Sequence, residues 1–219
     1  MTTIYLIRHS IRMPIEKIKK YNTSQSELIK NEKIILSVEG EERAKILSQE
    51  KELQNIDVVY ASNCVRTLQT AKYLLEEQDL NVTIDERFDE RRVGKKNEDV
   101  VKDWFVRQYK EKNYKTIGGE SQQEVGDRFE EAFSEVIDKN PNKRIAIFSH
   151  GYAITFFLLR YAELLEVTDT ALKIKYQDEF LLDGPINAPD VFKLEYEDKK
   201  LKSIKHLTFD DLPYRKGVM

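Results

Sequence analysis

The chain has 219 residues, of which 40% are hydrophobic and 34% charged. That is apolar enough to bury a sizeable core and too apolar for a disordered segment. The net charge of −3 disfavours a general binder of nucleic acid or anionic membrane, since both partners select basic surfaces. The only cysteine, Cys64, excludes an intramolecular disulfide framework and any zinc site built from several thiolates. No apolar run approaches the ~20 residues of a membrane span, and the N-terminal residues lack the apolar core of a signal peptide. A cytoplasmic protein is expected.

Ile4 to Ile7 is a short apolar run that stops at Arg8-His9 and reads as a strand. Residues 11–33 are polar and basic, with Lys17, Lys19 and Lys20 close together, as in a solvated loop or short helix. Ser37 is placed to cap a helix whose first turn carries Glu39 and Glu41. Ile56 to Tyr60 is a second strand. From Val65 to Glu77 the residues Leu68, Ala71, Leu74 and Leu75 recur at helical spacing. Val82 to Ile84 is a third, short strand, and residues 98–113 read as a less regular helix. Ser121 and Glu124 form a capping-box pattern ahead of a long helix to about Asp138, with Val125, Phe129, Phe133, Val136 and Ile137 as its apolar stripe. Arg144 to Phe148 is a near-continuous apolar run, typical of a strand buried on both faces of a parallel sheet. After Ser149-His150-Gly151, a helix is expected from about Ala153 to Leu165. Lys173 to Tyr176 alternates weakly. Val191 to Tyr196 and Leu201 to Leu207 read as a hairpin turning at Asp198-Lys199. The alternation of strands and helices predicts an α/β fold: a three-layer α/β/α arrangement, its mostly parallel sheet carrying helices on both faces. With no linker or repeat, residues 1–219 read as a single domain.

Two of the three histidines, His9 and His150, sit at the carboxyl ends of strands, where open α/β sheets bind ligands. His206 has no such context. Arg8 and Arg12 flank His9, and Arg66 opens the helix after the second strand. Guanidinium forks match phosphate oxygens and stay charged, so two histidines among arginines fit a phosphate dianion. No carboxylate or Cys/His group shows metal-ligand spacing along the chain, and no phosphate-binding glycine loop is present. Neither a metal nor a cofactor is implied. Cys64 reads as a small buried residue. Lys95 and Lys96 read as loop charges. Arg91 and Arg92 are suited either to a second anionic group of a substrate or to the surface. Trp104 and Tyr114 either line a substrate pocket or pack a lid.

The motifs in order resemble the histidine phosphatase superfamily, in its phosphoglycerate mutase-like branch. Leu6-Ile7-Arg8-His9 resembles the first motif, and Leu36-Ser37-Val38-Glu39-Gly40 the Leu-Thr-x-x-Gly segment. Ser62 through Arg66 to Thr70-Ala71 matches Ser-x-x-x-Arg-x-x-x-Thr-Ala. Phe88-Asp89-Glu90-Arg91-Arg92-Val93-Gly94 matches Leu-x-Glu-x-x-x-Gly. Gly119-Glu120-Ser121 with Arg128 and then Ser149-His150-Gly151 complete the set. The resemblance implies that His9 is the nucleophile, that Arg8, Arg66 and His150 hold the phosphoryl oxygens, and that Glu90 protonates the leaving oxygen. Ser10 stands where the family has glycine. Arg8-His9-Ser10-Ile11-Arg12-Met13-Pro14 is instead similar to the Arg-His-x-x-Arg-x-Pro motif of the acid phosphatase branch, which adds Arg12 to the phosphate ligands. Ser10, Gly151 and Arg91 are the remaining substrate-contact candidates. The implied activity is a metal-independent phosphatase acting on a small phosphate monoester through a phosphohistidine. The stretch between Glu90 and Gly119 is short for the elaborated lid of a mutase, which makes mutase-type phosphoryl transfer the second alternative. A non-catalytic phospholigand-binding module is the third. Oligomeric state is open, with a homodimer among the alternatives.

Overall fold

A computed structural model describes residues 1–14, 27–94 and 103–212. Lys17, Lys19, Lys20, Lys95 and Lys96 lie outside the described residues, as do residues 98–102 of the expected fourth helix. β1 (Thr2–Arg8) is followed by α1 (Glu27–Glu32), α2 (Val38–Ser48), β2 (Val58–Ala61), α3 (Val65–Gln78) and β3 (Val82–Ile84). Then come α4 (Trp104–Lys110), α5 (Gln122–Lys139), β4 (Arg144–Ser149) and α6 (Gly151–Leu158). The chain finishes with β5 (Glu163–Val167), β6 (Leu172–Tyr176), β7 (Glu179–Gly184), β8 (Asp190–Glu197) and β9 (Lys200–Leu207).

The main sheet has six strands in the order β3-β2-β4-β1-β8-β9. β1, β4, β2 and β3 pair in parallel, while β8 and β9 extend the sheet antiparallel beside β1. Because side chains alternate along a strand, the central strands feed two cores. Ile4, Leu6, Ile145 and Ile147 pack with Phe129, Phe133 and Phe157 of α5 and α6. Tyr5, Ile7, Ala146 and Phe148 pack with Leu47, Ala71 and Leu74 of α2 and α3. This is the expected α/β/α layering. Among the described residues no helix is long and apolar enough to cross a membrane.

The caps form as the sequence indicates. Ser37 accepts the Gly40 amide at 3.0 Å, and Ser121 and Glu124 close a complete capping box. The Asp198-Lys199 hairpin turn has both residues at positive φ, the backbone of a tight two-residue connection. One expectation needs correcting. The helix expected to run to Leu165 ends at Leu158, and Glu163–Val167 is a strand. Pairing with β6 overrides the local helical pattern, placing Val167 opposite the buried Leu172 and Leu164 opposite the buried Ile174. With β7, which the sequence pattern did not reveal, these strands form a separate three-stranded antiparallel sheet.

Gly40 has a specific packing duty. A Cβ at that position would lie 2.1 Å from the Ile11 carbonyl oxygen. The Ser37 amide and hydroxyl both donate to that same oxygen, at 2.9 and 3.2 Å. The start of α2 thus clamps the loop that leaves His9. A backbone clash of this kind cannot be relieved by a rotamer change. Gly40→Ala is therefore expected to lower unfolding free energy by about 1–3 kcal/mol and to impair function at His9. Urea denaturation and a phosphate-release assay check both effects.

Candidate active site

Parallel pairing of β1 with β4 sets Arg8 opposite Ser149, so the next residues, His9 and His150, emerge side by side. Their rings meet edge to face with centroids 5.2 Å apart. β2 ends on the same edge, where the Ser62 amide donates to the Phe148 carbonyl at 3.0 Å. Ser62 leads into α3 and Arg66. His9, Ser10, Ser62, Arg66 and His150 are all buried.

Partners decide the protonation of both rings. His9 Nδ1 lies 2.7 Å from the Ser10 carbonyl oxygen. A carbonyl only accepts, so Nδ1 carries the hydrogen and Nε2 keeps its lone pair. Burial and the nearby charges of Arg66 and Arg8 push the His9 pKa well below its ordinary value. His150 Nδ1 faces Arg66 Nη2 at 3.0 Å, and its Nε2 faces the Ser62 hydroxyl at 2.8 Å. The guanidinium only donates, so Nδ1 accepts and the Nε2–H points at Ser62. Burial, Arg66 and His9 push the His150 pKa down as well.

The arginines are gripped by main-chain oxygens. Arg8 Nη1 donates to the carbonyls of Ile186 and Asn187, the latter at 2.9 Å. Arg66 Nη1 donates to the Asn31 carbonyl at 2.8 Å. Arg8 Nε, Arg66 Nε and Ser10 Oγ are buried with no hydrogen-bond partner among the described residues. Gly151 packs against Arg8 closely enough that a Cβ would stand 3.2 Å from Nε. Buried donors are normally satisfied, so these orphans around His9 give the candidate site unmet capacity for an acceptor such as an anion. The Ser10 amide is already engaged by Thr70 Oγ1 at 3.0 Å. At this site, serine in place of glycine therefore contributes a hydroxyl. Arg12 is exposed, yet its charge acts on both Arg8 and His9.

Glu90 sits where its Oε1 accepts the amides of Arg91 at 2.9 Å and Ala153 at 3.2 Å. Its segment is braced from several sides. Arg128 donates to the Arg87 carbonyl at 2.7 Å and to the Glu90 carbonyl at 3.4 Å. Glu120 pairs with Arg128 at 2.9 Å and accepts the Arg92 amide at 2.8 Å. The Ser149 hydroxyl donates to the Phe88 carbonyl at 2.7 Å. The Gly119-Glu120-Ser121…Arg128 motif thus supports the Glu90 segment from behind.

Three neighbours of the site were not assigned to it from sequence. Asp89 has its pKa raised by burial to about 6, and its Oδ1 accepts the Asn63 amide. Asp89, Cys64 and His150 bring ligand-type atoms within 4.8 Å of one another. This grouping escapes any spacing rule because it joins three separate loops. Both His150 nitrogens are engaged by Arg66 and Ser62, which opposes a cation there. His206, set aside in the sequence for want of context, has Nε2 2.5 Å from Asp190 Oδ1. Asp190 Oδ2 accepts the Asn187 amide at 2.9 Å, steadying the loop that grips Arg8. Arg91 is buried, whereas Arg92 is exposed. Tyr114 lies under Arg107, its ring centroid 3.9 Å from the guanidinium carbon.

The family model of the histidine phosphatase superfamily, branch 1, matches residues 4–175. The chain belongs to this superfamily. Among solved structures it is similar to Bacillus stearothermophilus YhfR, at 20% identity and TM-score 0.65, covering 92% of this chain and 95% of that one. It is also similar to a mycobacterial glucosyl-3-phosphoglycerate phosphatase, at 16% identity, TM-score 0.64 and coverage of 94% and 95%. An Entamoeba histolytica phosphoserine phosphatase variant aligns at 18% identity, TM-score 0.62 and coverage of 94% and 97%. These structures share the fold. A search of the curated proteins finds no match.

Because His9 and His150 are held neutral, the unfolded chain binds protons that the folded chain refuses. The folded-state pKa values lie below the unfolded ones, so stability falls as pH drops through the ordinary histidine value of about 6.5. Replacing His9 by Gln should flatten the slope of unfolding free energy between pH 7 and 5.5, by up to about 1.4 kcal/mol per pH unit. Urea titrations of wild type and variant measure it. An unchanged slope would show that His9 takes up protons in the folded protein as in the unfolded chain, so that its surroundings do not hold it neutral.

Proposed function

We propose that this histidine phosphatase superfamily member is a metal-independent hydrolase of a small phosphate monoester, acting through a phosphohistidine on His9. The observation that carries the reading is a neutral His9, its Nε2 lone pair fixed by the Nδ1–H bond to Ser10, among buried arginine donors lacking partners. Arg8 and Arg66 bind the phosphoryl oxygens, with the Ser10 hydroxyl and, from the rim, Arg12. Their fixed charge stabilises the transferring phosphoryl group. His9 Nε2 attacks phosphorus as the bond to the leaving oxygen breaks. Glu90 gives that oxygen a proton from Oε2, since Oε1 is occupied by two amides. A water then attacks the phosphohistidine, returns a proton to Glu90 and releases phosphate. If the ester enters as its monoanion and draws Arg66 toward it, His150 Nδ1 is freed to accept the proton of the phosphoryl hydroxyl and hold that oxygen.

His9→Ala should lower phosphate release by several orders of magnitude, as loss of a covalent nucleophile does. An acid-labile phosphoenzyme should form on rapid quench of wild type, in excess EDTA as well as without it. Normal turnover in the variant would overturn the assignment.

Two carboxyls lie near the leaving group, Glu90 and the raised Asp89. The general acid is the one whose amide variant slows alkyl phosphates far more than nitrophenyl phosphate, because a good leaving group departs without a proton. We expect this selective loss for Glu90→Gln and not for Asp89→Asn, read as kcat/KM on both substrates. The reverse pattern would transfer the role to Asp89.

A further inference from the structure

Arg8 has a carboxylate for a neighbour. Arg8 and Asp190 stand directly opposite each other where β1 pairs with β8. Side chains at such positions lie on one face of a sheet. The Asp190 side chain is fully buried. Burial pushes the Arg8 pKa down, and the charge of Asp190 pulls it back up. A buried carboxylate beside a buried guanidinium ordinarily closes into an ion pair. Among the described residues no such pair forms between these two. Arg8 Nη1 turns to the carbonyls of Ile186 and Asn187, and Nε has no partner among the described residues.

Asp190 is occupied from the other side. His206 Nε2 lies 2.5 Å from Oδ1, the Val191 amide donates to Oδ1 at 3.2 Å, and the Asn187 amide donates to Oδ2 at 2.9 Å. The two amides belong to the main chain at Asp190 itself and the turn before it. His206 is the one side chain bonded to the carboxylate among the described residues. It comes from β9, and β8 lies between β9 and β1. His206 therefore holds the carboxylate from the side opposite Arg8. The imidazole is fixed in place by stacking on Phe192, its partner in the strand register, with ring centroids 5.0 Å apart.

We infer that His206 is a positioning residue for the phosphoryl site: by holding Asp190 it keeps that carboxylate from closing on Arg8, so that the guanidinium stays available to phosphate. The inference rests on the phosphatase reading, in which Arg8 binds the phosphoryl group. A released Asp190 would satisfy the free Nε, cancel the charge of the fork and turn a negative group toward the incoming anion.

The test is a double-mutant cycle read by calorimetric titration of inorganic phosphate into wild type, His206→Phe, Asp190→Asn and the double variant. His206→Phe should weaken phosphate binding by at least about tenfold, the scale of one charge-assisted contact. In the Asp190→Asn background the same substitution should change affinity by less than about twofold, because no carboxylate is left to release. His206→Gln, whose amide can still donate to Asp190, should recover part of the loss. Equal losses in both backgrounds would make His206 a structural support only. No loss in either would show Asp190 held without it. Each of these results overturns the inference. If urea denaturation shows that His206→Phe does not fold, His206→Met, which also lacks a donor, takes its place in the cycle. Wild type that binds phosphate but releases none from nitrophenyl phosphate would count against the phosphatase reading alone, and the binding cycle still tests His206. Wild type that binds no phosphate would overturn both.

Discussion

Everything around His9 depends on keeping positive charge buried without neutralising it. A carboxylate beside Arg8 or Arg66 would satisfy the guanidinium and cancel the charge that an incoming phosphate needs. The fold uses main-chain carbonyls instead: Ile186 and Asn187 for Arg8, Asn31 for Arg66. A carbonyl dipole orients the fork and removes only part of its field. The remaining charge has two effects. Together with burial, the larger cause, it pushes the pKa values of His9 and His150 down, and Arg8 Nε and Arg66 Nε are left without partners among the described residues. In the proposed reaction, attraction for the dianion and a neutral His9 both draw on this charge.

Such an arrangement is costly for the free protein and needs a stiff surround. The carboxyl edge of the parallel strands supplies it, since His9, Ser62 and His150 are each one residue beyond a hydrogen-bonded strand. The Asp190–His206 pair steadies the carbonyl loop under Arg8. The Glu120–Arg128 pair braces the segment that carries Glu90. These ion pairs do not stand among the candidate reacting groups, yet their charges reach them: Asp190 acts on Arg8, and Arg128 on His150.

The surroundings of neighbouring residues differ sharply in character. Trp104, Phe105, Tyr109 and Tyr152 form an aromatic cluster around the Arg91 guanidinium, one residue after Glu90. The buried neighbours of His9 are polar or cationic instead: Ser10, Arg66 and His150.

The residues that converge on the candidate site were legible in the chain. A histidine at the end of an apolar run, an arginine next to it and a second such run ending in histidine are local patterns, and strand ends are where α/β sheets expose side chains. The capping box at Ser121, the cap at Ser37 and the Asp198-Lys199 turn were equally local, and each formed. What the sequence could not display were contacts between residues far apart. The helix expected to reach Leu165 became a strand because β6 was available to pair with it. His206 acquired a role only when β9 placed it beside Asp190, and the Cys64–Asp89–His150 grouping arose from three separate loops. Arg91 and Arg92 are adjacent and chemically identical, yet one is buried against Trp104 and Tyr152 and the other is exposed. Residue type and spacing determined which chemistry the chain carries. Burial, tautomer and partner, which decide how that chemistry is tuned, follow from packing across the sheet and exist only in the folded protein.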